Sequence, residues 1–153
     1  MNSRPPRRTR DDERGAVLIE FALVLPLLLL LVVGMFDLGF AFQRYQAVTN
    51  AAREGARMAV LPGYSPADVE DRVKAYLTAS GVPDPGSWTI KVSPPTSVTP
   101  IGGGARFTVM RVQVQVTHTF TLLGPIAALV GGTFATVPLT SESTMRTEVA
   151  GGS

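Results

Sequence analysis

Cysteine is absent from the chain, which excludes disulfides, thiolate metal sites and a cysteine nucleophile. Any folded part must therefore be held together by packing and hydrogen bonds. Histidine is also scarce, because His118 is the only one among the 153 residues. It lies on the apolar side of an alternating pattern, which is typical of a structural residue rather than of a metal ligand or a general base.

Other patterns that could carry chemistry are incomplete. Ser65 lies in residues 63–67, which match a nucleophile elbow only in part, and a helix cap explains this serine fully. The three glycines at residues 102–104 are followed by neither a lysine nor a capped helix, so a phosphate loop is unsupported. No carboxylate pair lies in an apolar setting. The sequence predicts a protein that is not an enzyme, with no catalytic, cofactor-binding or metal-binding residues and no small-molecule substrate.

Most of the chain has no net charge, and its basic residues are concentrated at the N-terminus. The net charge is +2, and residues 1–15 hold five of the 14 basic residues, all arginines, with three of the 12 acidic ones. From Ala16 onward nine basic residues balance nine acidic ones. A nucleic-acid surface needs basic residues clustered on the folded part, so no nucleic-acid partner is expected. The basicity belongs to a leader, residues 1–15.

A long apolar run follows this leader. Residues 16–36 contain a single ionisable side chain, Glu20. At about 1.5 Å per residue, a helix of this length reaches about 30 Å, the thickness of the hydrocarbon core of a bilayer. A secretory signal peptide is the alternative, but its apolar part is usually about 7–15 residues, and no small-residue cleavage site follows here. We therefore expect one transmembrane helix over residues 16–36.

The arginines of the leader predict the direction of insertion. Lys and Arg are enriched on the cytoplasmic side of membrane helices. We therefore expect residues 1–15 in the cytoplasm, the span in the inner (cytoplasmic) membrane, and residues 37–153 as an extracytoplasmic domain.

The junction between leader and span has a distinctive order. Gly15 ends the leader, and Glu20 and Phe21 follow inside the apolar run. An ionisable group in a span costs about 3 kcal/mol on insertion scales, which makes Glu20 a functional candidate; a wet position near the headgroups is the alternative. Pro26 removes a helical hydrogen bond and predicts a kink around residues 22–26, either harmless or used in bending during extraction from the bilayer.

These residues resemble the type IV prepilins, and more narrowly the TadE-like family of tight-adherence (Flp) pilus pseudopilins. The resemblance extends over residues 14–60. It depends on the G-x-x-x-x-E-F junction with its proline-interrupted leucine run, and on the segment NAAREGAR at residues 50–57. The segment MRTE at residues 145–148 is a weaker likeness.

The resemblance implies cleavage by a prepilin peptidase, a membrane-embedded aspartyl peptidase, between Gly15 and Ala16. Glycine is the unhindered residue that such an enzyme needs on the leader side. Cleavage would create an ammonium group at Ala16, about one turn from Glu20, whose carboxylate could neutralise it on the same chain or a neighbouring one. Since an unpaired charge in a dry bundle is costly, this pairing would set the register between subunits. Glu20 and Phe21 are therefore assigned to processing and assembly.

A face of small residues follows the span. We expect the helix to continue to about residue 60, where Leu61-Pro62-Gly63 ends it. Its outer part carries small residues at i, i+4 spacing, namely Ala47, Ala51, Gly55 and Ala59. Such a face permits close backbone approach, either under the chain's own sheet, which is the expected use, or at a subunit interface.

The remaining segments predict a short helix and several strands. Ser65 caps a helix that ends near Ala79. Strands are predicted at residues 88–92, 106–120 and 137–148, with a bulge at Val109-Met110. Residues 94–105 are predicted as a loop. Residues 122–132 are too short for a second span, so they are predicted as a turn that covers the core, with contact to the membrane surface as the alternative.

The predicted fold is α+β and pilin-like: a long N-terminal helix, half in the membrane, packed on a short helix and a small antiparallel sheet of three or four strands. The predicted function is that of a minor pilin or pseudopilin in the assembly of a tight-adherence (Flp, type IV-like) pilus or related secretion apparatus. Its expected partners are the membrane, the prepilin peptidase, other pilins or pseudopilins and the assembly machinery, and the chain could itself enter the pilus. No cofactor is expected. The alternative is an unprocessed, single-pass, membrane-tethered binding or structural module.

Overall fold

A computed structural model of the chain describes residues 10–83, 85–104, 106–129, 131–132 and 136–147. In chain order the elements are α1 (Arg10–Ala59), α2 (Pro66–Ala79), a short 3-10 turn (Pro85–Ser87), β1 (Trp88–Val92), β2 (Thr96–Val98), β3 (Phe107–Thr119), α3 (Leu123–Leu129) and β4 (Thr136–Thr147). The predicted α+β fold is confirmed, with four strands in one antiparallel sheet. Most of the leader, residues 1–9, and Glu148 of the MRTE segment lie outside the described residues.

The long helix α1 is continuous over 50 residues. At about 1.5 Å per residue it is about 75 Å long. It begins within the predicted leader and ends at Ala59, after which Leu61 N donates to the Met58 carbonyl at 3.0 Å. Gly63 then adopts a φ of 91°, which a residue with a side chain rarely adopts, and the chain turns back toward α2.

The second helix begins at the predicted cap. Ser65 Oγ accepts a hydrogen bond from Asp68 N at 3.3 Å, and Asp68 Oδ2 accepts one from Ser65 N at 2.7 Å. This reciprocal pair satisfies two backbone donors at the start of α2. The Ser65 hydroxyl also donates to Asp68 Oδ2, and this bond, followed by the backbone one, holds the pKa of the Asp68 carboxyl below its ordinary value.

The sheet is organised around β3. On one edge β4 pairs with β3 from Thr108↔Thr147 to Thr119↔Thr136. On the other edge β1 and β2 follow one another along β3. Alternate β3 residues face the two helices and are buried, namely Val112, Val114, Val116 and His118. The opposite face carries the polar side chains that the alternation predicted.

Two predictions about the sheet are wrong. The predicted loop at residues 94–105 contains β2, which pairs with Phe107–Val109 of β3. The predicted bulge in β3 is absent, because the register with β4 is unbroken through Val109 and Met110. The extra residue lies on the opposite edge, where residues 93–95 face residues 110–111. The sequence pattern shifts because Phe107 is on the outer face, where the Arg146 guanidinium lies 4.9 Å from its ring centroid.

The core lies between this sheet and the two helices. Its buried members are Val48, Ala51, Ala52 and Ala56 of α1, Val69, Val73 and Leu77 of α2, Val82, and the three valines of β3. Gly55 lies at the closest approach: a methyl group there would be 2.6 Å from Val73 Cγ2 and 3.1 Å from Val112 Cγ1. Ala51 is buried, and Ala47 and Ala59 pack against the core. The face of small residues therefore lies against the chain's own α2 and sheet.

Candidate functional site at the membrane helix

The N-terminal part of α1 exposes a continuous apolar surface. From Arg14 onward α1 is long and apolar enough to cross a membrane, and none of its most apolar window is buried within the chain. The exposed large side chains continue beyond Phe36, the predicted end of the span, through Leu38, Phe40, Phe42 and Tyr45. A surface of this size is unfavourable in water, and a bilayer or other apolar helices would bury it.

Gly15 differs from Gly55 in what surrounds it. A methyl group built on Gly15 would meet no atom within 4 Å, whereas one on Gly55 would collide with Val73. Glycine within a helix costs about 1 kcal/mol relative to alanine. Packing of the chain explains that cost at Gly55 but not at Gly15. Among the described residues, nothing packed around position 15 requires a glycine there.

Glu20, like Gly15, lacks neighbours in the chain that would explain it. It is exposed on α1, as is Phe21, and no hydrogen bond or ion pair joins it to another of the described residues. The described part of the chain therefore offers this carboxylate no partner. Pro26 is also exposed, and the helix continues through it; the kink stays a prediction.

Asp37, next to the end of the predicted span, is buried. Its side chain is only 1% exposed. One carboxylate oxygen accepts hydrogen bonds from Leu122 N at 3.0 Å and Leu123 N at 2.7 Å. These N–H groups lie at the start of α3, where helix donors have no partner within the helix. Asp37 therefore fastens residues 122–129, which we call the collar, to α1.

Arg44 makes a second polar contact between α1 and the sheet. Its Nη1 lies 2.7 Å from Nδ1 of His118, which is 1% exposed. A guanidinium can only donate, so Nδ1 is the acceptor and the imidazole is neutral with its proton on Nε2. Burial, then the charge of Arg44, lowers the pKa of His118 against the opposing effect of Asp37. The rings of Phe120 and His118 also meet edge to face, with 5.1 Å between their centroids.

The residues that could carry chemistry are not brought together. Ser65 is hydrogen-bonded to Asp68 at the start of α2, while His118 is hydrogen-bonded to Arg44. Within the described ranges, no three His, Asp or Glu side chains are grouped so that they could hold a metal ion. The arrangement is that of structural polar contacts in a small domain.

Comparison with protein families concerns the same part of the chain. The family described as TadE-like protein matches residues 15–57. This segment is TadE-like. The match confirms the resemblance predicted from residues 14–60, and it begins at Gly15, the residue at the predicted junction. No curated protein and no solved structure matches the chain.

The TadE-like match covers most of α1 and stops there, so α2, the sheet and the collar lie outside it. Together with the apolar helix, the match shows a TadE-like N-terminal segment on a helix suited to anchor the chain in a membrane. The predicted residues Gly15, Glu20 and Phe21 lie within the matched segment.

Sequence reasoning missed Asp37 and Arg44. Asp37 was placed only at the start of the predicted extracytoplasmic domain, residues 37–153, and Arg44 was assigned no role. A signal was present, because the two charges are seven residues apart and so lie on the same side of a helix. Their partners, however, are 74 or more positions away in the chain.

Proposed function

We propose that the chain is a minor pilin or pseudopilin of a tight-adherence type pilus or related secretion apparatus, and that a prepilin peptidase cuts it between Gly15 and Ala16. The observation that carries the proposal is the TadE-like match, which begins at Gly15 and covers the exposed apolar surface of α1. Its role is structural and involves no catalysis of its own.

In this proposal α1 serves two environments in turn. In the membrane its apolar surface faces lipid, with the leader in the cytoplasm and the domain on the opposite side. In a filament the same surface would face the α1 helices of neighbouring subunits. Glu20 would then meet the new ammonium group at Ala16, and this ion pair would set the axial position of one subunit relative to the next.

The processing step is tested with a pair of glycine variants. Gly15→Val should leave the precursor uncut in the membrane, because a β-branched side chain would obstruct the leader side of the scissile bond. Gly39→Val is the matched control, since Gly39 also lies on α1 with no atom within 4 Å of a built methyl group. It should be cut normally. Mass spectrometry of the membrane-bound chain distinguishes the precursor from the cleaved form. If the wild-type chain retains residues 1–15 in cells that make a functional pilus, the proposal is wrong.

The assembly step is tested at Glu20. Glu20→Gln keeps the size of the side chain but removes its charge, so it should be inserted and cut but fail to support pili. Glu20→Asp keeps the charge and should retain a measurable share of piliation. Normal piliation in the Gln variant would contradict the proposed ion pair.

A second candidate is the unprocessed, membrane-tethered module. The continuity of α1 from Arg10 to Ala59 favours it, because the bond after Gly15 is helical and a peptidase would have to unwind it first. Glycine makes that unwinding easier by about 1 kcal/mol relative to alanine. The mass of the mature chain decides between the two candidates, since only the pseudopilin begins at Ala16.

A further inference from the structure

The collar lies at the end of the domain that is nearest the membrane. β3 runs alongside α1 toward its apolar end. His118, near the end of β3, contacts Arg44, and the backbone amide of Leu122 contacts Asp37, two turns closer to that end. One turn further toward the apolar end of α1, a methyl group on Gly34 would lie 4.0 Å from Leu123 Cδ1. Gly34 belongs to the predicted span. The collar therefore contacts α1 at the level where the span ends.

The collar presents its large apolar side chains outward. Leu129 is 86% exposed, Leu122 42% and Ile126 37%, while the small residues Gly124 and Ala127 are buried. A helix on the surface of a water-soluble domain has the opposite arrangement, with large apolar residues inside. Neighbouring α1 side chains at this level, Met35 and Phe36, are exposed as well. Both elements therefore expose large apolar side chains at this level.

The chain segment that contains the collar carries no charged residue. Residues 119–141, which include the last residue of β3, the collar and the first half of β4, contain no Asp, Glu, Lys, Arg or His. The one charged group at this level on α1, Asp37, is turned into the domain and covered by the collar amides. A surface that shows large apolar side chains and no charge suits the lipid boundary.

We propose that the collar is a second membrane-contacting element, seated in the leaflet on the side where the domain lies, next to the point where α1 leaves the bilayer. α1 and the collar then hold the domain at two points, which fixes its tilt as well as its depth. Asp37 is the positioning residue: its carboxylate satisfies the first collar amides, which would otherwise meet lipid without a partner. The inference rests on α1 crossing a bilayer, as in the proposed function, but not on cleavage at Gly15 or on a pilus.

The test uses the full chain in phosphatidylcholine vesicles and takes advantage of the absence of cysteine. Leu129→Cys carries an environment-sensitive fluorophore, and nitroxides are placed on the lipids either near the headgroup or at the end of the acyl chain. The matched control is Ile101→Cys, a fully exposed apolar residue in the loop beyond β2 at the other end of the sheet. The Leu129 probe should be quenched several-fold more than the Ile101 probe by the shallow nitroxide.

A third probe at Leu28, in the middle of the predicted span, reports whether α1 crosses the bilayer at all. It therefore distinguishes a collar that does not touch lipid from a helix that is not inserted. Strong quenching of Leu28 by the deep nitroxide, together with a Leu129 probe no more quenched than Ile101, would overturn the collar alone. A Leu129 probe that is shielded from lipid nitroxides, and increasingly so at high protein density, would overturn it in favour of contact with a second copy. An unquenched Leu28 probe would show that α1 does not cross the bilayer, and this would contradict both the proposed function and the collar inference.

Discussion

Gly55 offers the sharpest test of the packing between α1, α2 and the sheet. In Gly55→Ala the new methyl group would lie 2.6 Å from Val73 Cγ2 and 3.1 Å from Val112 Cγ1. Val73 is fully buried, and a valine within a helix has one strongly preferred rotamer, so it cannot turn aside. The two helices must separate instead.

The expected magnitude follows from two opposing effects. Overpacking of a well-packed core costs about 1–3 kcal/mol. Replacing glycine by alanine within a helix contributes about 1 kcal/mol in the opposite direction. The net effect is a destabilisation of about 1 kcal/mol, which lowers the Tm of a domain of this size by about 4–8 °C.

The assay is thermal unfolding of the full chain in detergent micelles, followed by the fluorescence of the single tryptophan. Trp88 suits this purpose because it packs against the core cluster. Gly39→Ala is the control, since it also adds a methyl group to α1 but meets no atom within 4 Å, and its Tm should not fall. A rise in Tm for Gly55→Ala would refute the close approach.

A double-mutant cycle identifies the atoms that collide. Val73→Ala removes the Cγ2 atom nearest to the new methyl group, so it should be less harmful in the Gly55→Ala background than in the wild type. Residues in direct contact have coupling energies of about 0.5–3 kcal/mol. Additive effects of the two substitutions would mean that Val73 is not the residue that forbids a side chain at position 55.

Three further predictions concern the polar contacts and the topology. Asp37→Ala should speed amide hydrogen exchange at Leu122 and Leu123, because hydrogen bonds to a charged group contribute about 1.5–3 kcal/mol; unchanged exchange would contradict the fastening of the collar. Since burial and Arg44 lower the pKa of His118 from 6.5, the unfolded chain binds the proton more readily, so stability should be full above about pH 6.5 and fall as the pH drops below it. His118→Gln, which keeps an acceptor for Arg44, should flatten this dependence, and an equal slope in both proteins would exclude His118 as its source. Cysteine placed at the exposed Ser97 should react with an impermeant thiol reagent on intact spheroplasts, whereas labelling only after lysis would reverse the proposed topology.

Elements with a strong local pattern could be predicted from the sequence. The cap at Ser65, the helix that it begins and the strands at residues 88–92 and 106–120 all recur in the structure. Each of these signals depends on residues within a few positions of one another, where the backbone period determines which side chains share a face. The junction at Gly15 and Glu20 was recognised in the same way, from a short and specific order of residues.

Short or irregular elements could not be predicted. β2 has only three residues and is flanked by prolines, so alternation has no room to show, and the strand exists because the edge of β3 supplies its hydrogen bonds. Phe107 and Val109 looked like a change of phase, because an apolar outer face and a bulge produce the same sequence pattern. Only the register with β4 distinguishes them.

The sequence by itself determined that α1 is a helix suited to a membrane and that its outer part carries a face of small residues. Only the tertiary structure decided that this face is covered by α2 and β3, because a small side chain permits close approach without choosing the partner. The same holds for Asp37, whose burial depends on amides 85 and 86 positions away. A charged residue beside an apolar run is equally compatible with exposure to water. Its role appears only when the collar folds back onto α1 and covers it.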